Sequence, residues 1–408
     1  MKYDWQLIND NFSEVDREEV ISWLSQNQRL TQGPKVKEFE DAWSEWLGVK
    51  HSVFVNSGAS ANFIMFCIAN ELKAKEHFKK TGRKAEIITS PLGWVSDVSP
   101  ILMLGMKPVF VDVNMSNMSM DINLIKEAIT EDTIAINLVH VLGFNAVSSE
   151  LVQLCNERGI LLIEDCCESH GATYLDAKIG TFGDLSNFSF YFGHHMTTVE
   201  GGMVCTSNDD LYDYIKLFRS HGMTRETSQS FSDKYSQEWP ELNPLFTFAV
   251  PAINLRNTEF NAVVGLSQLK RLNGNIHART ANLNVWLDNL DKELFFTDFD
   301  RAGSSNFSLP LIINGHNKRI ESSGDLKYLF DCIEKLLCSE NVEYRVGTAG
   351  GGNQTRQPYL QNGDYEYKIH NELKNTDFIH HYGLYIGNHP ELTPHQIISL
   401  CDKLNSLV

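Results

Sequence analysis

No apolar run in this sequence approaches the ~20 residues needed to span a bilayer, so a membrane partner is not expected. The first residues, Met1-Lys2-Tyr3-Asp4-Trp5, lack the apolar core of a signal peptide, which leads to the expectation of a cytoplasmic protein. Basic residues are scarce. Thirty-five Lys and Arg stand against 52 Asp and Glu, and the net charge of −17 argues against a nucleic acid held by phosphate contacts. Cys67, Cys155, Cys166, Cys167, Cys205, Cys332, Cys338 and Cys401 form no C-x-x-C pair and no Cys/His cluster of zinc spacing, so reduced thiols and no metal are expected. Repeats and low-complexity tracts are also missing. What remains is ordinary globular composition, 42% hydrophobic and 21% charged, over 408 residues, enough for two or three domains.

Short apolar strands alternate with helical patterns through the first two thirds of the chain. Strands are expected at 51–55, 86–89, 108–113, 134–141 and 160–164, with helices such as 64–72, 122–129 and 147–158 between them. This is the rhythm of an α/β fold with a mostly parallel central sheet flanked by helices. Ligands of such sheets sit at the carboxyl ends of the strands. The turns at Ser57, Trp94, Asp165 and His194 all fall there and are expected to converge. Residues 224–244 read as an irregular loop, and the helix beginning near Ala262 as continuing to Leu290. After about residue 295 the pattern changes to a smaller α+β arrangement, giving expected domains of 1–285 and 286–408. Its loop from Gly347 to Gln354 has no lysine in Walker spacing and reads as a flexible connection.

The most unusual stretch runs from Ser186 to Val204. An aromatic strand (Phe188, Phe190, Tyr191, Phe192) meets Gly193, followed by the tandem imidazoles His194 and His195. Such a pair at a glycine bend is either a surface loop tip or a titratable site beside a cavity. Ser57-Gly58-Ala59-Ser60, between a strand and a helix, could aim backbone N–H groups at a phosphate, with Ser189 adding a hydroxyl. Trp94 could stack on an aromatic ring, and Asp165 could pair with a protonated ring nitrogen. Those are the needs of a pyridoxal phosphate site. Each also has an ordinary alternative, since tryptophan is often core and a strand-terminal Asp often caps a helix.

Gly33-Pro34 with Phe39-Glu40, Asn56-Ser57-Gly58, Ile163-Glu164-Asp165 with His170-Gly171-Ala172, Phe188-Ser189-Phe190, Glu200-Gly201-Gly202 and Asn254 to Glu259 occur in that order. Together they resemble the landmarks of the DegT/StrS sugar aminotransferases, fold-type I pyridoxal phosphate enzymes acting on nucleotide-linked keto sugars. The resemblance is clear from about Leu30 to Leu272 and looser in the tail. It implies that Asp165 faces the pyridine nitrogen, that Trp94 stacks, and that Gly58, Ala59, Ser60 and Ser189 hold the phosphate. It further implies that Asn254 reaches the neighbouring subunit's cofactor, hence a homodimer with shared active sites. Glu168 is a candidate contact to the ring hydroxyl, and Arg219 and Arg256 are candidates for carboxylate or sugar binding.

The family's aminotransferases carry a lysine where this chain has His194, and an imidazole cannot hold the cofactor aldehyde covalently. Histidine here resembles the nucleotide-sugar 3-dehydratase branch. That implies pyridoxal or pyridoxamine phosphate bound without a lysine link, glutamate as amino donor, and loss of the C3 hydroxyl from a 4-keto-6-deoxy hexose or heptose, GDP-linked by preference. Such chemistry belongs to dideoxysugar synthesis for surface polysaccharides. His194 would act as base and acid with a near-neutral pKa, and His195 as a structural or substrate-orienting group. The rivals are an ordinary sugar aminotransferase and a non-catalytic relative used for binding or regulation.

Overall fold

The computed structural model describes residues 3–9, 12–26, 29–316 and 322–407. Its large sheet collects β1 (His51–Val55), β2 (Glu86–Thr89), β3 (Lys107–Phe110), β4 (Thr133–Val139), β5 (Leu161–Asp165), β8 (Leu185–Ser189), β9 (Gly202–Thr206) and β12 (Lys368–Ile369). A two-residue hairpin, β6 (Thr173–Tyr174) and β7 (Ala177–Lys178), lies outside it. The strand order is β1-β9-β8-β5-β4-β2-β3-β12. Only β9 runs against the others, pairing antiparallel with both β1 and β8. The carboxyl ends of β1, β2, β4, β5 and β8 therefore share one edge of the sheet.

Period-2 alternation splits these strands between two cores. Ile87, Ala135 and Ile163 point into one, with Ile64, Phe66 and Phe218 from the covering helices. Ile88, Ile136 and Leu162 point into the other, with Leu151 and Cys155. Burial on both faces is why these segments read as unbroken apolar runs. A second sheet, entirely antiparallel, orders β10 (Ser308–Ile312), β13 (Gly383–Gly387) and β11 (Tyr344–Val346) as β10-β13-β11. The expected boundary at 285/286 falls inside the helix Leu272–Asn289, whose Leu283, Trp286 and Leu287 pack into this C-terminal core. Trp5 joins the same core and donates its indole N–H to the Gly387 carbonyl at 2.9 Å.

Three local expectations are corrected. Residues 224–244 contain the helix Gln229–Glu238, capped by Ser228 accepting from the Phe231 N–H. None of its residues is buried, so it carries no core-facing stripe for periodicity to find. The long helix is broken into Glu259–Leu269 and Leu272–Asn289 at Arg271, which leaves helical geometry (ψ 0°) and grips the buried Asp16 carboxylate at 2.6 Å. The glycine-rich 347–354 loop is packed. Thr348 Oγ1 donates to the Leu92 carbonyl and the Gln354 N–H to that of Pro91, so the loop braces the turn that presents Trp94.

Candidate active site

At the shared edge the strand ends do converge. After β1, the Ser57 hydroxyl caps the helix Gly58–Ala69 by accepting the Ser60 N–H at 3.0 Å. The turn presses against the end of β8. A Cβ on Gly58 would lie 2.6 Å from Ser189 Cβ and 3.2 Å from Cys167 Sγ, so glycine is required for the approach. Gly202, opening β9, closes the same corner, since a Cβ there would meet the Ser57 carbonyl at 2.3 Å. The Gly58, Ala59 and Ser60 amides are thus gathered at a helix N-terminus beside the Ser189 hydroxyl, an arrangement suited to an anion.

Asp165 closes β5 and is 5% exposed. Its Oδ1 accepts the Cys167 N–H at 2.9 Å and its Oδ2 accepts Asn62 Nδ2 at 2.6 Å, so the carboxyl is held in a fixed orientation. Asn62 was missed in the sequence. The signal was there, because it is the one amide inside the apolar run from Ala61 to Ala69. Glu168 accepts the Leu142 N–H at 2.6 Å and is pushed up to about 8, chiefly by burial. Trp94 leaves half of its indole exposed at the end of the β2 turn.

His194 follows β8. Its N–H donates to the Tyr191 carbonyl at 3.0 Å and its own carbonyl accepts from Arg279 Nη2 at 3.3 Å. The ring packs near His170 and Phe307, with centroids at 5.9 and 5.8 Å, and its buried Nδ1 has no partner among the described residues. Burial pulls its pKa down to about 4. The Asp165 charge works upward against that, and the Arg279 cation adds to the lowering. The expected near-neutral value is therefore corrected, since the imidazole is neutral across the whole physiological range. Arg279, buried on the helix Leu272–Asn289, also donates to the carbonyls of Phe307 and Asn388. Asn388 returns a bond to the Arg279 carbonyl at 3.1 Å. A guanidinium inside a helix gives no local sequence sign of such a role. His195 turns away: its Nε2 shares a 3.0 Å hydrogen bond with Ser305, and the ring is fully buried.

Two arginines separate here. Arg256 bridges backbone to Val55 at the end of β1, and its buried Nε lacks a partner. Arg219 does not join the cluster. It is 4% exposed and donates to the buried Glu40 at 2.8 Å, so the reading of Arg219 as a substrate contact is withdrawn in favour of a buried ion pair. Arg219→Met should cost about 3–5 kcal/mol by stranding Glu40, measurable by urea unfolding, and leave the KM for an amino-acid substrate unchanged. Asn254 lies exposed outside the cluster, its Oδ1 accepting the Arg256 N–H at 3.1 Å.

The residues present fit pyridoxal phosphate on the structure's own terms. A half-exposed indole, a carboxyl fixed by two donors, a helix N-terminus with two hydroxyls and an imidazole each follow a strand end on the same edge of the sheet. Comparison with known proteins agrees. The profile of the DegT/DnrJ/EryC1/StrS aminotransferase family matches residues 12–405. The chain is 29% identical over 391 residues to GDP-4-keto-6-deoxy-D-mannose 3-dehydratase of Escherichia coli O55:H7, covering 95% of each chain. A crystal structure of GDP-4-keto-6-deoxymannose-3-dehydratase with a trapped PLP–glutamate geminal diamine superposes with a TM-score of 0.83 at 28% identity, covering 98% of this chain and all of that one. A mutant of that enzyme with bound GDP-perosamine gives 0.82 at 28% identity, covering 98% of this chain and all of that one.

Proposed function

The chain belongs to the DegT/DnrJ/EryC1/StrS aminotransferase family, and from that premise we propose that it is a pyridoxal-phosphate-dependent 3-dehydratase of a nucleotide-linked 4-keto-6-deoxy sugar. The observation that carries this reading is a neutral histidine, not a lysine, at the strand edge beside Asp165. Two relatives at 29% identity are named for a GDP-linked sugar, which makes GDP the first nucleotide to test.

Bound and aminated, the cofactor supplies an amino group for the C4 ketone and an electron-withdrawing ring. Asp165 would hold the proton on the ring nitrogen, Trp94 would cover the ring face, and the Gly58–Ser60 amides with Ser189 would take the phosphate. Glu168 would face the ring hydroxyl. His194, neutral at physiological pH, accepts a proton at an imidazole nitrogen and delivers it to the departing C3 oxygen. The C3–O bond breaks and its oxygen leaves as water. The bound cofactor would supply the electron pair that reduces C3, with ammonia released as co-product, and glutamate would restore its amino group. Arg256 is the candidate for the glutamate carboxylate. Incubation with pyridoxal phosphate and glutamate should convert the cofactor's absorbance to that of the pyridoxamine form, with no borohydride-reducible link to lysine. Failure to bind the cofactor would overturn the proposal.

The active protein is a homodimer in this reading. Trp239, Leu242, Leu245, Phe246, Phe248 and Ile253 are each at least 45% exposed on the segment leading into Asn254. Such a cluster of exposed apolar side chains marks an association surface. The double variant Phe246→Asp, Phe248→Asp should elute as a monomer in size-exclusion chromatography and weaken pyridoxal phosphate binding by about tenfold or more, as expected if Asn254 completes the partner's phosphate site.

A further inference from the structure

A second carboxyl lies beside Asp165. Asp97, in the short turn after Trp94, is fully buried. Its Oδ1 accepts Asn137 Nδ2 at 2.9 Å, and Asn137 also donates to Thr89 Oγ1 at 3.1 Å, which fixes the group in place. Its Oδ2 meets no donor among the described residues. That oxygen sits beside Gly93, where a Cβ would come within 2.6 Å of it. Asn62 ties the Asp97 turn to Asp165, since its Nδ2 donates both to Ser96 Oγ at 3.1 Å and to Asp165 Oδ2 at 2.6 Å, and the charge of Asp165 acts directly on Asp97. Two neighbouring buried carboxylates cannot both be ionised. A buried carboxyl oxygen that meets no protein donor is satisfied when it carries the proton and donates.

We infer that Asp97 is a positioning residue that carries a proton and donates it in a hydrogen bond to Asp165, so that the pair presents a single negative charge to the cofactor ring. The proton belongs on Asp97 because Asp165 already accepts two donors, Asn62 and the Cys167 amide, and Asp97 only one. Among the described residues Asp165, Glu168, Cys167 and Tyr359 face Asp97, and none of these four is a cation that would favour its ionised form. Burial and the Asp165 charge accordingly hold Asp97 well above the usual carboxylate range. A carboxylate offers about four lone-pair sites. Asn62, Cys167 and Asp97 take three on Asp165, which leaves one for the ring N–H and lowers the basicity that would pull the ring proton away. This last step rests on the reading that Asp165 faces the ring nitrogen.

The test uses the full chain, first stripped of cofactor and then reloaded. A group kept protonated in the folded state loses stability relative to the unfolded chain as pH rises above about 3.9, the free value, toward the folded pKa. Asp97→Asn, a neutral isostere with its own donor, escapes that loss. In urea unfolding of the stripped protein, the stability of Asp97→Asn relative to wild type should therefore climb steadily from pH 4 to pH 8. A flat or falling difference overturns the inference, whatever the cofactor does. In the reloaded protein, Asp97→Asn should keep pyridoxal phosphate affinity within about threefold, whereas Asp97→Leu, lacking a donor, should weaken it by about tenfold and shift the pH titration of the ring absorbance. A rising stability difference with a cofactor indifferent to both variants would leave the carboxyl pair standing and overturn its effect on the ring, and with it the placement of Asp165.

Discussion

His194→Lys should lose sugar dehydration by about 10²–10⁴-fold and gain a covalent link to pyridoxal phosphate that borohydride makes permanent. The loss is expected because a lysine amine, once tied to the cofactor aldehyde, no longer stands free to carry a proton to the C3 oxygen. The fold should tolerate the change: His194 is partly exposed, its Nδ1 has no partner among the described residues, and Arg279 holds its carbonyl rather than its ring. The same geometry sets the pH profile. A base whose pKa is pulled down to about 4 is deprotonated, and active, throughout the range from 6 to 8. His194 should then contribute no acid limb near 6.5 to kcat/KM, and one appearing there in wild type and vanishing in His194→Gln would contradict the depressed value. Dehydration by His194→Lys at the wild-type rate would remove His194 from the mechanism.

Asp165→Asn carries the second large effect. The amide cannot hold a proton on the ring nitrogen, and its NH2 would face the Asn62 amide, now donor against donor at a buried site. Loss of a charge-assisted bond of about 1.5–3 kcal/mol predicts a ten- to hundredfold weaker Kd for pyridoxal phosphate, read by absorbance titration. Turnover should fall further, because an unprotonated ring withdraws electrons less well. Unchanged affinity and turnover would place the ring nitrogen elsewhere.

Much of this was legible in the residues. Alternating apolar strands and capped helices announced the parallel sheet, and a sheet so built brings its turns to one edge, which is why Ser57, Trp94, Asp165 and His194 could be grouped before any geometry was known. Side chains whose role depends on partners far along the chain were not legible. Asn62 meets Asp165 across 103 residues and Arg279 meets Asn388 across 109. Asp97 sits in an unremarkable turn, and only the approach of β5 makes it a partner for Asp165. Arg219 shows the opposite error. A guanidinium looks equally suited to a ligand carboxylate or to Glu40, and only the fold decides that Glu40, 179 residues away, takes it. The helix Gln229–Glu238 escaped for a related reason, since a helix with no buried face writes no period into the sequence.

The most direct measurement is the mass of the sugar product. Wild-type protein, pyridoxal phosphate, glutamate and a GDP-linked 4-keto-6-deoxy hexose should yield a nucleotide sugar lighter by one oxygen atom, with ammonia released and the ketone intact. CDP- and dTDP-linked substrates in parallel would rank the nucleotides. A product that keeps its C3 oxygen and carries an amine at C4 would contradict dehydration and make the protein an aminotransferase.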